Sequence, residues 1–240
     1  MKLVKLNSRE LPYEIAEALK TLRTNIRFCG NDKRVILFTS CISGEGKSTV
    51  SLDLTISLTE LGYSAILVDA DLRKSQLAGH LASGHFEQGL THYLAHQCGL
   101  DDITYATNIP GFYIIPAGAL PPNPSELLDS VRMQGLIKEL RSSVDFIIVD
   151  CAPLGLVVDA AVVAPHCDGS ILLIEADGIS YRLAQEVVAR LKATGCPVLG
   201  SVLNKVNHEK GRYYGYGRYG KYGRYYGQKY GAYYKSGDMA

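Results

Sequence analysis

The run Thr39-Ser40-Cys41-Ile42-Ser43-Gly44-Glu45-Gly46-Lys47-Ser48-Thr49 constrains this chain more than any other stretch. Apolar residues 35–38 precede it, and residues 50–61 follow with apolar side chains at helical spacing. Strand, tight loop and helix in that order are the setting in which a glycine-rich loop cradles phosphate. A loop opening a helix aims backbone N–H groups and the positive end of the helix dipole at one point. Gly44 and Gly46 let the backbone approach an anion with no Cβ in the way. Ser43, Gly44, Glu45, Gly46, Lys47, Ser48 and Thr49 are therefore the candidate nucleotide cradle. In such a loop Lys47 reaches the β- and γ-phosphates, and the Ser48 hydroxyl holds Mg²⁺. Cys41 stands where the usual G-x-x-x-x-G-K-[ST] pattern has its first glycine.

Two acidic strand ends support the same site. Residues 65–68 read as a strand running into Asp69-Ala70-Asp71-Leu72-Arg73, and residues 146–149 as one ending in Asp150. Carboxylates just past the carboxyl ends of buried strands lie on the rim where open α/β sheets bind ligands. Asp69 and Asp71 are placed to reach a metal–phosphate centre with Arg73 nearby, and Asp150 to hold Mg²⁺ through water opposite Ser48. Single strands also end in Asp for ordinary turn reasons, but the combination with the loop selects a nucleotide site.

Further strands at 112–115, 169–174 and 198–203, with a helix at about 180–194, predict a mostly parallel sheet covered on both faces. The fold class is therefore α/β, of the P-loop NTPase type. Asn204, closing the last strand, is either an adenine contact or a turn-forming residue. A helix over 13–28 carries Ile15, Leu19, Leu22 and Ile26 on one face. Its Glu17, Lys20 and Arg23 sit three apart, which suits either local ion pairs on a solvated face or a subunit contact. The Pro-rich loop 116–124, with Asn123 or Ser125 as helix cap, either shapes a rim of the site or is merely structural. Segment 74–111 is poorly periodic. Its His80, His85, His92 and His96 share no ligand spacing with Cys or acidic residues, which argues against a metal centre there.

The 240 residues suffice for one α/β domain, expected over 1–206. The longest apolar stretch, 146–165, is broken by Asp150 and Asp159, and the N-terminus lacks a signal-peptide core, so a cytoplasmic protein is expected. Six scattered cysteines with no C-x-x-C pair fit reduced thiols. Cys41 and Cys151 both fall near the nucleotide, where two small buried thiols are the simpler reading.

Segment 207–240 departs from this. Residues 211–234 contain ten Tyr, seven Gly and five Lys/Arg, with no acid and no aliphatic larger than Ala. Such a segment cannot bury enough surface to offset its ordering entropy, so a disordered tail is expected. Three uses fit it: nucleic-acid binding by basic and stacking side chains, self-association, or phosphoryl acceptance by the hydroxyls. The acceptors in the third case are Tyr213, Tyr214, Tyr216, Tyr219, Tyr222, Tyr225, Tyr226, Tyr230, Tyr233 and Tyr234. Residues 204–240 carry eight Lys/Arg against two Asp/Glu, so the basic excess of a chain of net charge +1 lies there, and the body has no charge reason to bind nucleic acid.

Taken together, the loop 43–49, the Asp69-Ala70-Asp71-Leu72-Arg73 turn, the strand ending Asp150-Cys151-Ala152-Pro153 and the terminal tyrosines resemble the bacterial tyrosine kinases of capsule and exopolysaccharide biosynthesis. The likeness extends to residues 17–26 and 121–128. It implies Mg-ATP as phosphoryl donor and autophosphorylation of the C-terminal tyrosines, largely between subunits. It also implies that Lys47 and Ser48 belong to the first Walker element, Asp69 and Asp71 to the second, and Asp150 to the Walker B strand. Lys47 would meet phosphate charge, Ser48 and Asp150 would hold Mg²⁺, and Asp69 or Asp71 would take the tyrosine proton or orient the metal. In that family an E-x-x-R-x-x-R helix builds ring-like homo-oligomers; here it reads Glu17, Lys20, Arg23, and lysine keeps the charge without the bidentate fork. The resemblance further implies a membrane-anchored activator as partner, recruitment to the inner face of the membrane, and control of polysaccharide synthesis or export. The competing reading is a partitioning or positioning ATPase with a polymer-binding tail. Those proteins carry an extra lysine early in the loop, where this chain has Ile42.

Overall fold

The structure, a computed structural model, describes residues 2–7 and 10–206; the tyrosine-rich segment 207–240 and all ten of its tyrosines lie outside the described residues. Among the described residues nine strands form the sheet: β1 (Lys2–Leu6), β2 (Val35–Ser40), β3 (Ala65–Ala70), β4 (Leu81–Ser83), β5 (Tyr105–Thr107), β6 (Phe112–Ile115), β7 (Phe146–Cys151), β8 (Gly169–Glu175) and β9 (Val198–Asn204). The helices are α1 (Tyr13–Phe28), α2 (Lys47–Thr59), α3 (Leu90–Leu94), α4 (Leu100–Ile103), α5 (Pro124–Leu128), α6 (Val131–Ser143), α7 (Asp159–Val163) and α8 (Tyr181–Ala193). The order across the sheet is β4-β1-β5-β6-β3-β7-β2-β8-β9.

From β6 to β9 every pairing is parallel, so β2, β3 and β7 send their carboxyl ends to one edge. β2, β3 and β7 are buried along their whole length, as strands covered on both faces must be. The two-residue period divides the core: Ile36 and Phe38 pack with Leu19 and Ile26 of α1 and Leu54 and Leu58 of α2. Val35 and Leu37 pack on the other face with Leu136 and Leu140 of α6, Val163 of α7 and Val187 of α8.

The expected mostly parallel sheet, its helices and the helix over 13–28 are all present. Three short strands were not legible in the sequence. β1 pairs parallel with β5 and antiparallel with β4, and β5 turns antiparallel onto β6. β4 and β5 have only three residues each, too few to display a period. The loop at 116–118 takes the structural one of its two readings. Its carbonyls at Pro116 and Ala117 accept from the amides of Leu90 and Thr91, fastening it to α3, and no residue of 116–124 lines the central cavity. Asn123 precedes α5 without a side-chain cap bond, and the Ser125 hydroxyl is turned to Asp159.

One polar joint holds the opposite edge of the sheet. Asp168 accepts the amides of Arg34 (2.9 Å) and Val35 (2.8 Å) and a two-pronged pair from Arg141 at 2.9 and 2.7 Å. Burial pushes its carboxyl up, but Arg141 and the two amides outweigh that and hold it below the ordinary carboxylate range. Asp168→Ala is expected to lower stability by about 2–4 kcal/mol, because two amides and a partly buried guanidinium lose their acceptor. In the parent that contribution is present above the unfolded carboxylate's pKa and disappears as pH falls through the depressed folded value. Urea midpoints of the two proteins should therefore converge toward acid pH; a constant gap would assign the loss to packing alone.

Candidate nucleotide site

The loop between β2 and α2 is shaped by two left-handed glycines, Gly44 at φ 89° and Gly46 at φ 92°. Gly46 is required twice over, because a Cβ there would also collide with Nδ2 of Asn204. Cys41, in the place of the usual first glycine, is wholly buried, and its carbonyl lies so close to Gly155 that a Cβ on that glycine could not fit. Burial, with Glu45 nearby, raises the Cys41 thiol to about 11, and burial raises Cys151 well above the ordinary range. Both are protonated, inert thiols at neutral pH, as their small buried positions suggested.

Glu45 does not face the cavity with its carboxylate. The side chain turns inward to accept the amides of Cys41 (2.6 Å), Ile42 (2.8 Å) and Glu175 (3.1 Å). It braces the first half of the loop, and anion binding is left to the amides that open α2. The far end of the sheet reinforces the brace. Asn204 Nδ2 donates to the Glu45 carbonyl at 2.8 Å, while Lys205 Nζ donates to the Gly44 carbonyl at 2.7 Å and pairs with Glu175 at 2.9 Å.

Above the loop lies a cavity of about 380 Å³, lined by Ser43 to Thr49 together with Asp71, Lys74, Gln76, His80 and Pro153. Lys74, Gln76, His80 and Pro153 were not expected in the site. Their signal was position alone, since they follow the acidic ends of β3 and β7 and so stand on the ligand-binding rim. Lys47 is buried at the cavity floor. Its Nζ lies 2.7 Å from Asp150 Oδ1, 3.7 Å from Asp71 Oδ2 and 3.3 Å from Ser48 Oγ. Burial works to lower the Lys47 ammonium, but Asp150, Asp71 and Asp69 raise it, so the lysine is charged. β3 and β7 place Asp69 directly opposite Asp150. Burial, then the Asp150 charge, pushes Asp69 up to about 7, and burial likewise raises Asp150 against the pull of Lys47 and Ser48.

The two acids of the β3 turn have different surroundings. Asp69 accepts the amide of Asp71 at 3.1 Å and the Ser75 hydroxyl, and it does not line the cavity. Asp71 accepts the amide of Lys74 at 3.0 Å and presents its other oxygen to Lys47 on the cavity wall. Arg73 is not beside the phosphate position; its guanidinium grips Asp159 at 2.7 and 3.0 Å. On α1, Glu17 and Lys20 pair at 2.6 Å on the solvent side, whereas Arg23 turns inward to the carbonyl and hydroxyl of Ser57. Among the described residues no group of three or more His, Cys, Asp or Glu is arranged to hold a metal by itself.

Comparison with known proteins agrees with this geometry. A family described as "AAA domain" matches residues 33–193. Tyrosine-protein kinase CpsD of Streptococcus agalactiae is 39% identical over 201 residues, covering 84% of this chain and 88% of that protein. Among solved structures, the kinase domain of the Escherichia coli tyrosine kinase ETK superposes with a TM-score of 0.78 at 29% identity, covering 88% of this chain and 87% of that one. The cell division ATPase MinD of Pyrococcus furiosus has the same core at a TM-score of 0.62 and 29% identity, over 71% of each chain. The nearer likeness to the kinases extends over more of the chain than the core shared with the ATPase. This chain belongs to the bacterial tyrosine-protein kinase family, on a P-loop α/β fold.

Proposed function

We propose that this chain is an ATP-dependent protein-tyrosine kinase that phosphorylates its own C-terminal tyrosines, between subunits, in the control of capsular or exopolysaccharide synthesis. The observation that carries the reading is the buried Lys47 held by Asp150 and facing Asp71 at the floor of a loop-lined cavity. The site fits Mg-ATP on charge. Lys47 is shared by the buried carboxyls Asp150 and Asp71 with Asp69 nearby, so once phosphate draws the lysine away a divalent cation can take its place beside them. Ser48 and Asp150, with Asp69 behind, are the groups that would hold it, and no all-protein cage is needed for a hydrated Mg²⁺ shared with phosphates. When bound, Mg²⁺ supplies neutralisation of phosphate charge.

The chain's own groups then divide the work. The amides that open α2 bind phosphate oxygens, and Lys47 moves from its carboxylates to the phosphoryl group being transferred. Asp71, the acid on the cavity wall, takes the tyrosine proton as the new O–P bond forms and ADP leaves; Asp69 lies beneath it and sets the local potential. Asn204 keeps the adenine assignment: its Nδ2 is engaged by the Glu45 carbonyl, which leaves Oδ1 as an acceptor for an exocyclic amine. Glu17 and Lys20 offer the exposed polar face of α1 to a neighbouring subunit, while Arg23 seats that helix on α2. A membrane-anchored activator is the proposed partner and the means of recruitment to the membrane; among the described residues no helix is long and apolar enough to cross one.

Transfer between subunits has a direct test. A chain ending at residue 206 with an intact site is mixed with Lys47→Met carrying an intact tail, with labelled ATP and the activator's cytoplasmic segment. Phosphotyrosine should appear on the Lys47→Met chain. No label on Lys47→Met, while wild type incubated alone under the same conditions is labelled, would mean transfer within one chain. The ATPase reading keeps one supporting observation, the MinD-like core; it predicts hydrolysis with no label on tyrosine.

A further inference from the structure

We infer that Asp159 is a positioning residue for phosphoryl transfer: through Arg73 it fixes the turn that sets Asp71 against Lys47. The inference rests on the assignment of Asp71 to the reaction. Asp159 opens α7 and is wholly buried, an unusual place for a carboxylate unless it is fully served. It is served completely. Arg73 Nε donates to Oδ2 at 2.7 Å, Arg73 Nη2 to Oδ1 at 3.0 Å, and the Ser125 hydroxyl to Oδ1 at 2.7 Å. Arg73 Nη2 also donates to Ser125 Oγ at 3.0 Å, so three segments distant in sequence meet at one joint.

The joint lies beside the reacting geometry. The sheet holds Asp69 and Ala70 against β7 and the core holds Leu72, while the polar side of the turn is tied locally, by Asp71 N and Ser75 Oγ on Asp69 and by Lys74 N on Asp71. Those local bonds shape residues 71–75, and Arg73 is what links them to a helix across the rim. Arg73, in its middle, points away from the cavity and anchors the turn to α7. α7 in turn follows the segment that leaves Asp150, and that segment is held to β2 by the Thr39 hydroxyl, which donates to the Ala152 carbonyl at 2.9 Å and accepts the Leu154 amide at 3.0 Å. A closed ring of links results: Asp150, the exit of β7, Asp159, Arg73, Asp71, Lys47 and back to Asp150. Opening it at Asp159 frees Asp71 relative to Lys47 without removing any group from the cavity.

The test uses full-length protein with its activator segment and compares Asp159→Asn, Arg73→Gln, their double variant, Arg73→Lys, Ser125→Ala and Asp71→Asn. A misplacement near 1 Å costs up to roughly 10²-fold, so Asp159→Asn should lower kcat by about 30–100-fold. KM for ATP and affinity for a fluorescent ADP analogue should stay within about threefold, because the cradle is untouched. The double variant should be no worse than Asp159→Asn alone, since both open one joint, and Arg73→Lys should recover part of the loss. Ser125→Ala removes one bond of the joint and should cost a few-fold in kcat with a smaller loss of Tm than Asp159→Asn, which keeps the test available if Asp159→Asn folds poorly. A kcat within twofold of wild type in Asp159→Asn, or independent additive losses in the double variant, would overturn the inference. Full activity in Asp71→Asn would instead show the underlying site assignment to be wrong, whatever Asp159→Asn does.

Discussion

Replacing Lys47 by methionine is expected to abolish tyrosine phosphorylation, a loss of at least roughly 10²–10³-fold for the removal of one preorganised charge at the reaction centre. The same change acts on stability through groups that the reaction merely borrows. Lys47 is the cation held by Asp150 and facing Asp71, and Asp69 lies close enough to affect it. Taking one partner from a buried pair costs about 3–5 kcal/mol if the remaining charges stay ionised. Here they can take up protons, since burial already raises Asp69 to about 7 and raises Asp150. In Lys47→Met the folded state then binds more protons than the unfolded chain, so its stability rises as pH falls. The melting temperatures of the two proteins should lie furthest apart near pH 8 and draw together toward pH 5. A gap independent of pH would mean that Lys47 contributes packing and not charge.

Asp69→Asn should have the opposite sign on stability and the same sign on activity. Asp69 has a folded pKa of about 7 against 3.8 when unperturbed. Between those values the folded protein holds a proton that the unfolded chain has released, so stability falls as pH rises through that window and stays reduced above it. An amide removes the penalty while keeping an acceptor for Asp71 N and a partner for the Ser75 hydroxyl. At about 1.4 kcal/mol per pKa unit, and allowing for the sharing of charge with Asp150, a gain of about 2 kcal/mol is expected at pH 8, vanishing below pH 4. Phosphorylation should nevertheless drop sharply, because the acid beneath Asp71 has lost its charge. Thermal melts from pH 4 to 8 decide the point; destabilisation at pH 8 would show that Lys47 outweighs burial and that folding does not raise the Asp69 carboxyl. A site whose repair stabilises the protein and disables it is the usual mark of function kept at a cost in stability.

Much of this site is legible in the amino-acid sequence because its groups sit in strong local frames. Strand, loop and helix around 39–49, and Asp at the ends of two apolar runs, each follow from short-range patterns, and the parallel sheet then brings them to one edge. What escaped was the direction in which side chains turn. Glu45 looked like part of the phosphate cradle, yet its carboxylate braces the loop against β8. Arg73 was expected near the metal–phosphate centre, yet it is taken by Asp159, 86 residues on. Ser125 looked like a helix cap and joins the same cluster. Arg73 and Ser125 are decided by a partner distant in sequence, and Glu45 by one such partner together with two amides of its own loop, which residue type and spacing do not record. The same limit hid β1, whose partners β4 and β5 are too short to announce themselves.

The central claim is that this P-loop passes phosphate to tyrosine and not to water, with the C-terminal cluster as acceptor. Intact mass after incubation with Mg-ATP and the activator's cytoplasmic segment tests it most directly, on wild type, Lys47→Met and a chain ending at residue 206. Successive gains of one phosphoryl mass in wild type, absent from both variants each incubated alone, are the expected result. ATP consumed by wild type with no gain in mass would contradict the account and return the chain to the ATPases whose core it shares.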